Sequence, residues 1–114
     1  MGVWTGFQLA ITFATSALRE LCSIVTKAKR ELGETAAAVL IRRVADLRAA
    51  STICDLVAGN PTQLEVPTDW SIGLADGFLL HIRCAERNPP LDAHGNIDWT
   101  YVSRFKVMGV SKNG

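Results

Sequence analysis

Two short stretches of this chain carry basic groups at two-residue spacing. His81 and Arg83 form one pair, and Arg104 and Lys106 form the other. In a strand, residues i and i+2 point to the same face, so each pair presents its side chains together. If two such strands lie side by side with those faces aligned, three permanent cations and one imidazole converge. Arginine and lysine hold phosphate oxygens, and an imidazole gives and takes protons near neutral pH. The set suits work on a phosphodiester, with Arg83, Arg104 and Lys106 on the phosphate and His81 moving protons. The competing reading is an ordinary solvent-facing sheet face, which alternation alone would generate.

Other reactive residues fit less well. Tyr101 is the one aromatic near these strands that would stack on an RNA base. Its expected place, beside Trp99 and Phe105, is the core. His94 lies in a loop of turn formers and is expected in solvent. Trp4, Trp70 and Trp99 are expected as core residues or as anchors for a protein partner. Cys22, Cys54 and Cys84 are an odd, widely separated set without a Cys-x-x-Cys pair, which reads as three reduced thiols in a core. Alternation puts Cys84 on the opposite strand face from His81, so the two do not make a thiol–imidazole pair. Phosphate-cradling glycine loops, paired catalytic carboxylates and metal-ligand spacings are missing from the sequence, so neither metal nor cofactor is expected.

The elements that must position these groups follow from periodicity. Phe7, Leu9, Ile11 and Phe13 alternate with Gln8, Ala10 and Thr12, the pattern of a strand with one buried face. Thr15-Ser16 offers a cap for a helix whose apolar face is Leu18, Leu21, Cys22, Val25, Ala28 and Leu32, ending at Gly33. A second helix opens at Thr35, with Ala36, Leu40, Val44, Leu47 and Ala50 as its buried stripe. Arg42, Arg43, Asp46 and Arg48 then face solvent, and Arg42 pairs with Asp46. Thr52-x-x-Asp55 resembles a capping box, and Gly59-Asn60-Pro61 ends the helical region.

After Pro61 the period changes. Residues 63–66 read as a short strand and 67–69 as a turn. Trp70, Ile72 and Leu74 then alternate with small residues up to Asp76-Gly77, the strongest hairpin signal in the chain. The returning strand puts Phe78, Leu80, Ile82 and Cys84 on one face and Leu79, His81 and Arg83 on the other. A last strand is expected over residues 99–110. The order β-α-α-β-β-β gives an α+β domain, with a mainly antiparallel sheet and a helical hairpin on one face.

The chain has 114 residues, which is one domain's worth (1–114), and 48% hydrophobic content is enough for a single core. Twelve Lys and Arg against eleven Asp and Glu leave a net charge of +1, so nucleic-acid contact requires a local patch. The apolar run over residues 7–18 is too short and too interrupted to span a bilayer. A cytoplasmic protein is expected.

The residues as a set resemble the RelE/HigB-type toxins of bacterial toxin–antitoxin modules, in the plasmid-maintenance killer-protein branch. The match is carried by Leu18-x-x-Leu21-Cys22-Ser23, by Leu32-Gly33 with residues 36–38, by Arg43-Val44-Ala45-Asp46-Leu47-Arg48-Ala49-Ala50 before Ile53-x-Asp55-Leu56, and by Gly95-x-Ile97-Asp98-Trp99-x-x-Val102. The resemblance implies a RelE/ParE-like fold and a toxin that inhibits translation by cutting mRNA on the ribosome. The RNA 2′-hydroxyl would be the nucleophile, and a helix-turn-helix antitoxin the inhibitory partner. On it, His81, Arg83 and Arg104 are the expected catalytic residues, and Lys106 and Tyr101 the expected RNA contacts. The chain departs from that pattern where relatives carry basic groups. It has residues 62–68 (TQLEVPT) in place of a His-x-Leu-x-Gly-Asp-Arg-like stretch, Leu79 where an Arg is usual, and residues 110–114 in place of an Asp-Tyr-His-like tail. Those departures sustain a second expectation: the same fold acting by binding alone, through antitoxin and DNA regulation or gyrase-type inhibition.

Overall fold

The computed structural model describes residues 8–112, so the expectations on Trp4 and Phe7 fall outside the described residues. Strand β1 is Ala10–Phe13. Leu9, Ile11 and Phe13 pack on the core while Ala10 and Thr12 are exposed, as their alternation requires. Thr15 caps helix α1 (Ser16–Ser23), its hydroxyl accepting the Leu18 N–H at 3.1 Å.

The single helix expected up to Gly33 is two. The chain is extended at Ile24 (φ −105, ψ 108), and helix α2 starts afresh at Val25–Leu32. Ile24, Val25 and Thr26 are three β-branched residues in succession, each losing χ1 freedom in a helix, which makes this the weakest point of the run. Val25 is consequently exposed rather than part of the buried face. Gly33 (φ 87, ψ 167) ends α2 and itself occupies the position before helix α3 (Glu34–Ala49), so Thr35 caps nothing. Helix α3 buries Ala36, Ala37, Leu40, Val44 and Leu47. Arg43, not Arg42, pairs with Asp46, at 3.2 Å. Arg43 is half-buried rather than solvated, and three-residue spacing brings it onto Asp46.

Thr52 and Asp55 form the expected capping box around a 3-10 turn, Ile53–Asp55. Cys54 lies exposed on that turn, which corrects its expected place in the core; Cys22 and Cys84 are buried free thiols.

Strands β2 (Thr62–Gln63), β3 (Asp69–Gly73), β4 (Phe78–Cys84) and β5 (Arg104–Lys112) complete a five-stranded sheet of order β1-β5-β4-β3-β2. The β1–β5 pair is parallel and the other pairs are antiparallel. The expected order thus gains a third helix, and the short strand read over residues 63–66 is the two-residue β2 at Thr62–Gln63. Asp76 (φ 59) and Gly77 (φ 80) make the turn between β3 and β4, both with the positive φ that a type I′ hairpin needs.

The last strand begins at Arg104 and not at Trp99. Residues Trp99–Tyr101 form a 3-10 turn, because Asp98 Oδ1 accepts from both the N–H (3.2 Å) and the hydroxyl (2.6 Å) of Thr100. Trp99 still reaches the core. It stacks on Phe105 with centroids 5.9 Å apart and meets Trp70 edge-on at 5.3 Å. Phe105, Val107, Leu80, Ile82 and Ile72 of the sheet and Leu40, Val44 and Leu47 of α3 form one buried cluster. The helices therefore cover one face of the sheet.

A bulge shapes β5. His81 faces Gly109 and Ile82 faces Val107, which leaves Met108 as an extra residue. One inserted residue reverses the inward–outward alternation beyond it. Val110 consequently packs on the core, and His81 looks across at a glycine.

Candidate functional site

The opposite face of the sheet carries the basic groups. Ala10 and Thr12 of β1 are in register with Arg104 and Lys106 of β5, and Lys106 is in register with Arg83 of β4. Arg83, Arg104 and Lys106 are all exposed. They line one cleft of about 340 Å³ together with Ala10, Thr12, Cys84, Ala85 and Met108. Each cation is placed by local rules. Phe105 and Val107 must face the core, so Arg104 and Lys106 cannot; Ile82 and Cys84 do the same for Arg83.

His81 shares this face but does not line the cleft. It stands one i, i+2 step along β4 from Arg83, about 7 Å away along the strand. Its register neighbours are Ser71 on β3 and Gly109 on β5. The bulge at Met108 opens the β5 side of the imidazole, since Gly109 brings no side chain. Of the four groups expected to converge, three meet in the cleft and the fourth stands beside it.

Tyr101 is not part of the assembly. It lies on the 3-10 turn before β5, is 74% exposed, and belongs neither to the core nor to the cleft. Its expected position in a strand next to Phe105 fails for the reason already given: Asp98 curls the backbone at Trp99–Tyr101. His94 is exposed in the 92–96 turn, where its N–H donates to Asp92 Oδ1 at 2.8 Å.

One residue of the site lies where a turn is expected. Asp69 belongs to β3 in register with Arg83 and accepts from its Nε at 2.8 Å and its Nη2 at 3.1 Å. Thr68 donates its hydroxyl to Asp69 Oδ1 at 2.9 Å. The paired guanidinium lowers the Asp69 carboxyl below its ordinary range, and the carboxylate in turn raises Arg83. The turn alone does not announce this contact: a two-residue Asp76-Gly77 loop sets Ala75 opposite Phe78 and Asp69 opposite Cys84, whereas the observed pairing of Gly73 with Leu79 brings Asp69 opposite Arg83.

The thiols contribute no nucleophile to this face. Burial pushes Cys22 up to about 11 and raises Cys84 as well. Cys84 points to the core, away from His81, as alternation implied. Among the described residues there is no group of three or more His, Cys, Asp or Glu that could hold a metal ion, and no helix long and apolar enough to cross a membrane.

The cleft can therefore attract an anion, spread its charge over three cations, and offer a Thr12 side chain at its rim. Neither a family model, nor a curated protein, nor a solved structure matches the chain at a significant level.

Proposed function

We propose that this protein is a toxin of the RelE/HigB kind, which inhibits translation by cutting mRNA on the ribosome. The observation that carries the reading is the meeting of Arg83, Arg104 and Lys106 in one cleft on the sheet face that the helices leave uncovered. The cleft's volume suits a phosphodiester and its sugar, and its open walls suit a strand delivered by a larger partner.

The chemistry is transesterification. The RNA 2′-oxygen bonds to the neighbouring phosphorus as the bond to the 5′-oxygen breaks, leaving a 2′,3′-cyclic phosphate and a 5′-hydroxyl. The 2′-hydroxyl loses a proton and the leaving oxygen gains one. Arg104 and Lys106 hold the non-bridging oxygens, where negative charge grows most in the transition state. Arg83 adds a third cation from β4. His81, next along the strand, is the proton-transfer group. Holding the strand on the ribosome supplies the alignment that a shallow cleft lacks. A helix-turn-helix antitoxin is the inhibitory partner in this reading, and the cytoplasm is its setting. The fold it implies is RelE/ParE-like.

A second reading rests on two observations. Asp69 already satisfies one edge of Arg83, and His81 lies outside the cleft. A protein so arranged grips RNA or another anion without cutting it, and acts by binding alone. Translating ribosomes incubated with the purified protein separate the two. Cleavage of mRNA within the decoding site, lost in Arg104→Ala and in His81→Ala with the fold intact, is the result expected. Translation arrest with intact mRNA selects a binding-only block of translation, and no effect on translation overturns the nuclease reading and leaves binding through antitoxin and DNA regulation or gyrase-type inhibition.

A further inference from the structure

The contact between Asp69 and Arg83 lies at the edge of the cleft, and its geometry is that of a support rather than a lock. The Asp69 side chain is 15% exposed and that of Arg83 is 46% exposed. The carboxylate is fixed from behind by the Thr68 hydroxyl. A guanidinium carries five N–H donors in a rigid plane. Asp69 takes one from Nε and one from Nη2, on one edge of that plane. Three donors remain, on Nη1 and the outer side of Nη2. Arg83 also lines the cleft with Arg104 and Lys106, both of which stand on β5. Asp69 stands on β3, so the strand that bears Arg83 separates the carboxylate from the other two cations.

We infer that Asp69 is a positioning residue for RNA, holding the Arg83 fork so that its remaining donors meet a phosphate in the cleft. The inference rests on the reading of that cleft as an RNA site. Its physical basis is ordering. A free arginine on a sheet surface samples many rotamers, and binding a phosphate would have to freeze them. With Asp69 in place, that ordering precedes the arrival of RNA, and the cost of binding falls. The carboxylate's own repulsion of phosphate is offset by the guanidinium it holds, which lies between them.

The test is equilibrium binding of a short fluorescein-labelled single-stranded RNA to the full chain, read by anisotropy, with folding checked by circular dichroism. The variants are Asp69→Asn, Arg83→Ala, Arg83→Lys, the Asp69→Asn/Arg83→Ala double variant, Arg104→Ala and Lys106→Ala. Arg83→Lys keeps the charge but cannot make a two-pronged contact with Asp69. Asp69→Asn and Arg83→Lys should each weaken binding roughly three- to tenfold, the scale of one ordered side chain. Adding Asp69→Asn to Arg83→Ala should change nothing more, which a general loss of structure would not produce.

Tighter binding or unchanged binding in Asp69→Asn overturns the inference, as does an Asp69→Asn effect that persists without Arg83. If Asp69→Asn does not fold, Arg83→Lys decides. Affinity as low as that of Arg83→Ala supports the positioning role, and wild-type affinity overturns it. If the wild type itself does not bind RNA, the reading of the cleft fails and the role of Asp69 goes with it. If Arg104→Ala and Lys106→Ala weaken binding while Asp69→Asn does not, the cleft stands and only the positioning role falls.

Discussion

Arg83 and Lys106 are register partners on adjacent antiparallel strands, two permanent cations facing each other on the uncovered side of the sheet. Like charges directly opposite destabilise a strand pair. Asp69, in register with Arg83 on its other side, offsets part of that repulsion but leaves Lys106 without a carboxylate opposite it. Stability alone would favour an acid or a threonine at position 106. On the proposed reading, the paired cations are kept for an anion, in the way that local rules are commonly broken at functional sites.

That conflict gives the first prediction. Lys106→Glu should raise the thermal midpoint, because a carboxylate then faces Arg83. The same substitution should weaken RNA binding by about tenfold or more at low salt, since the local charge changes by two units. Calorimetry and anisotropy on one preparation read both effects. A loss of stability together with a loss of binding would contradict the account.

Acid unfolding supplies the second. The Asp69 carboxyl is lowered in the folded state, first by the hydrogen bond from Arg83. Its contribution to stability is therefore complete above the unfolded-state value, about pH 3.9, and is lost as pH falls through the lower folded value. Urea midpoints measured from neutral pH downward should drop more steeply below about pH 4 in the wild type than in Asp69→Asn. The two curves should converge at the acid end.

Thiol reactivity is the third. Cys54 is exposed on its 3-10 turn while Cys22 and Cys84 are buried, and burial pushes Cys22 up to about 11. An aromatic disulfide reagent at neutral pH should label one thiol in the folded protein and the other two only after denaturant is added. Rapid labelling of all three would place Cys22 or Cys84 elsewhere.

The fourth contrasts two glycines. Gly59 has φ +84, and a Cβ there would lie 2.5 Å from Ile72 Cγ2 and 2.8 Å from the Gly73 carbonyl oxygen. Gly33 has φ +87 with open space around it. Gly33→Ala should cost about 1–3 kcal/mol from backbone strain alone. Gly59→Ala adds overpacking against β3 and should cost about 2–5 kcal/mol. Chemical denaturation of the two variants measures the difference.

Local signals in the chain were enough to read most of these elements. The Asp76-Gly77 turn marks the β3–β4 hairpin, and the alternation over Phe78–Cys84 assigns His81 and Arg83 to the outer face. Thr15 and the Thr52–Asp55 box announce their caps. What stayed hidden depends on competition or on distance. Asp98 outcompetes a strand at Trp99–Tyr101 through side-chain bonds to the backbone that alternation does not register. Three β-branched residues at Ile24 break a helix whose apolar spacing runs straight through them. The bulge at Met108 moves His81 away from a side chain and onto Gly109, and its cue in the sequence is that glycine inside an otherwise alternating strand. Asp69 was hidden by its neighbours Pro67 and Thr68, which suggested a turn.

The central claim is that Arg83, Arg104 and Lys106 form a phosphodiester site on the uncovered sheet face. Its most direct test is to titrate isotope-labelled protein with a short RNA carrying a 2′-deoxy substitution at each nucleotide, and to follow the backbone amide signals. The account predicts saturable shifts at Arg83, Ala85, Arg104, Lys106 and Met108 and at Thr12 opposite them, with α2 and α3 unmoved. Shifts confined to the helices, or none at concentrations that saturate translation inhibition, would contradict it.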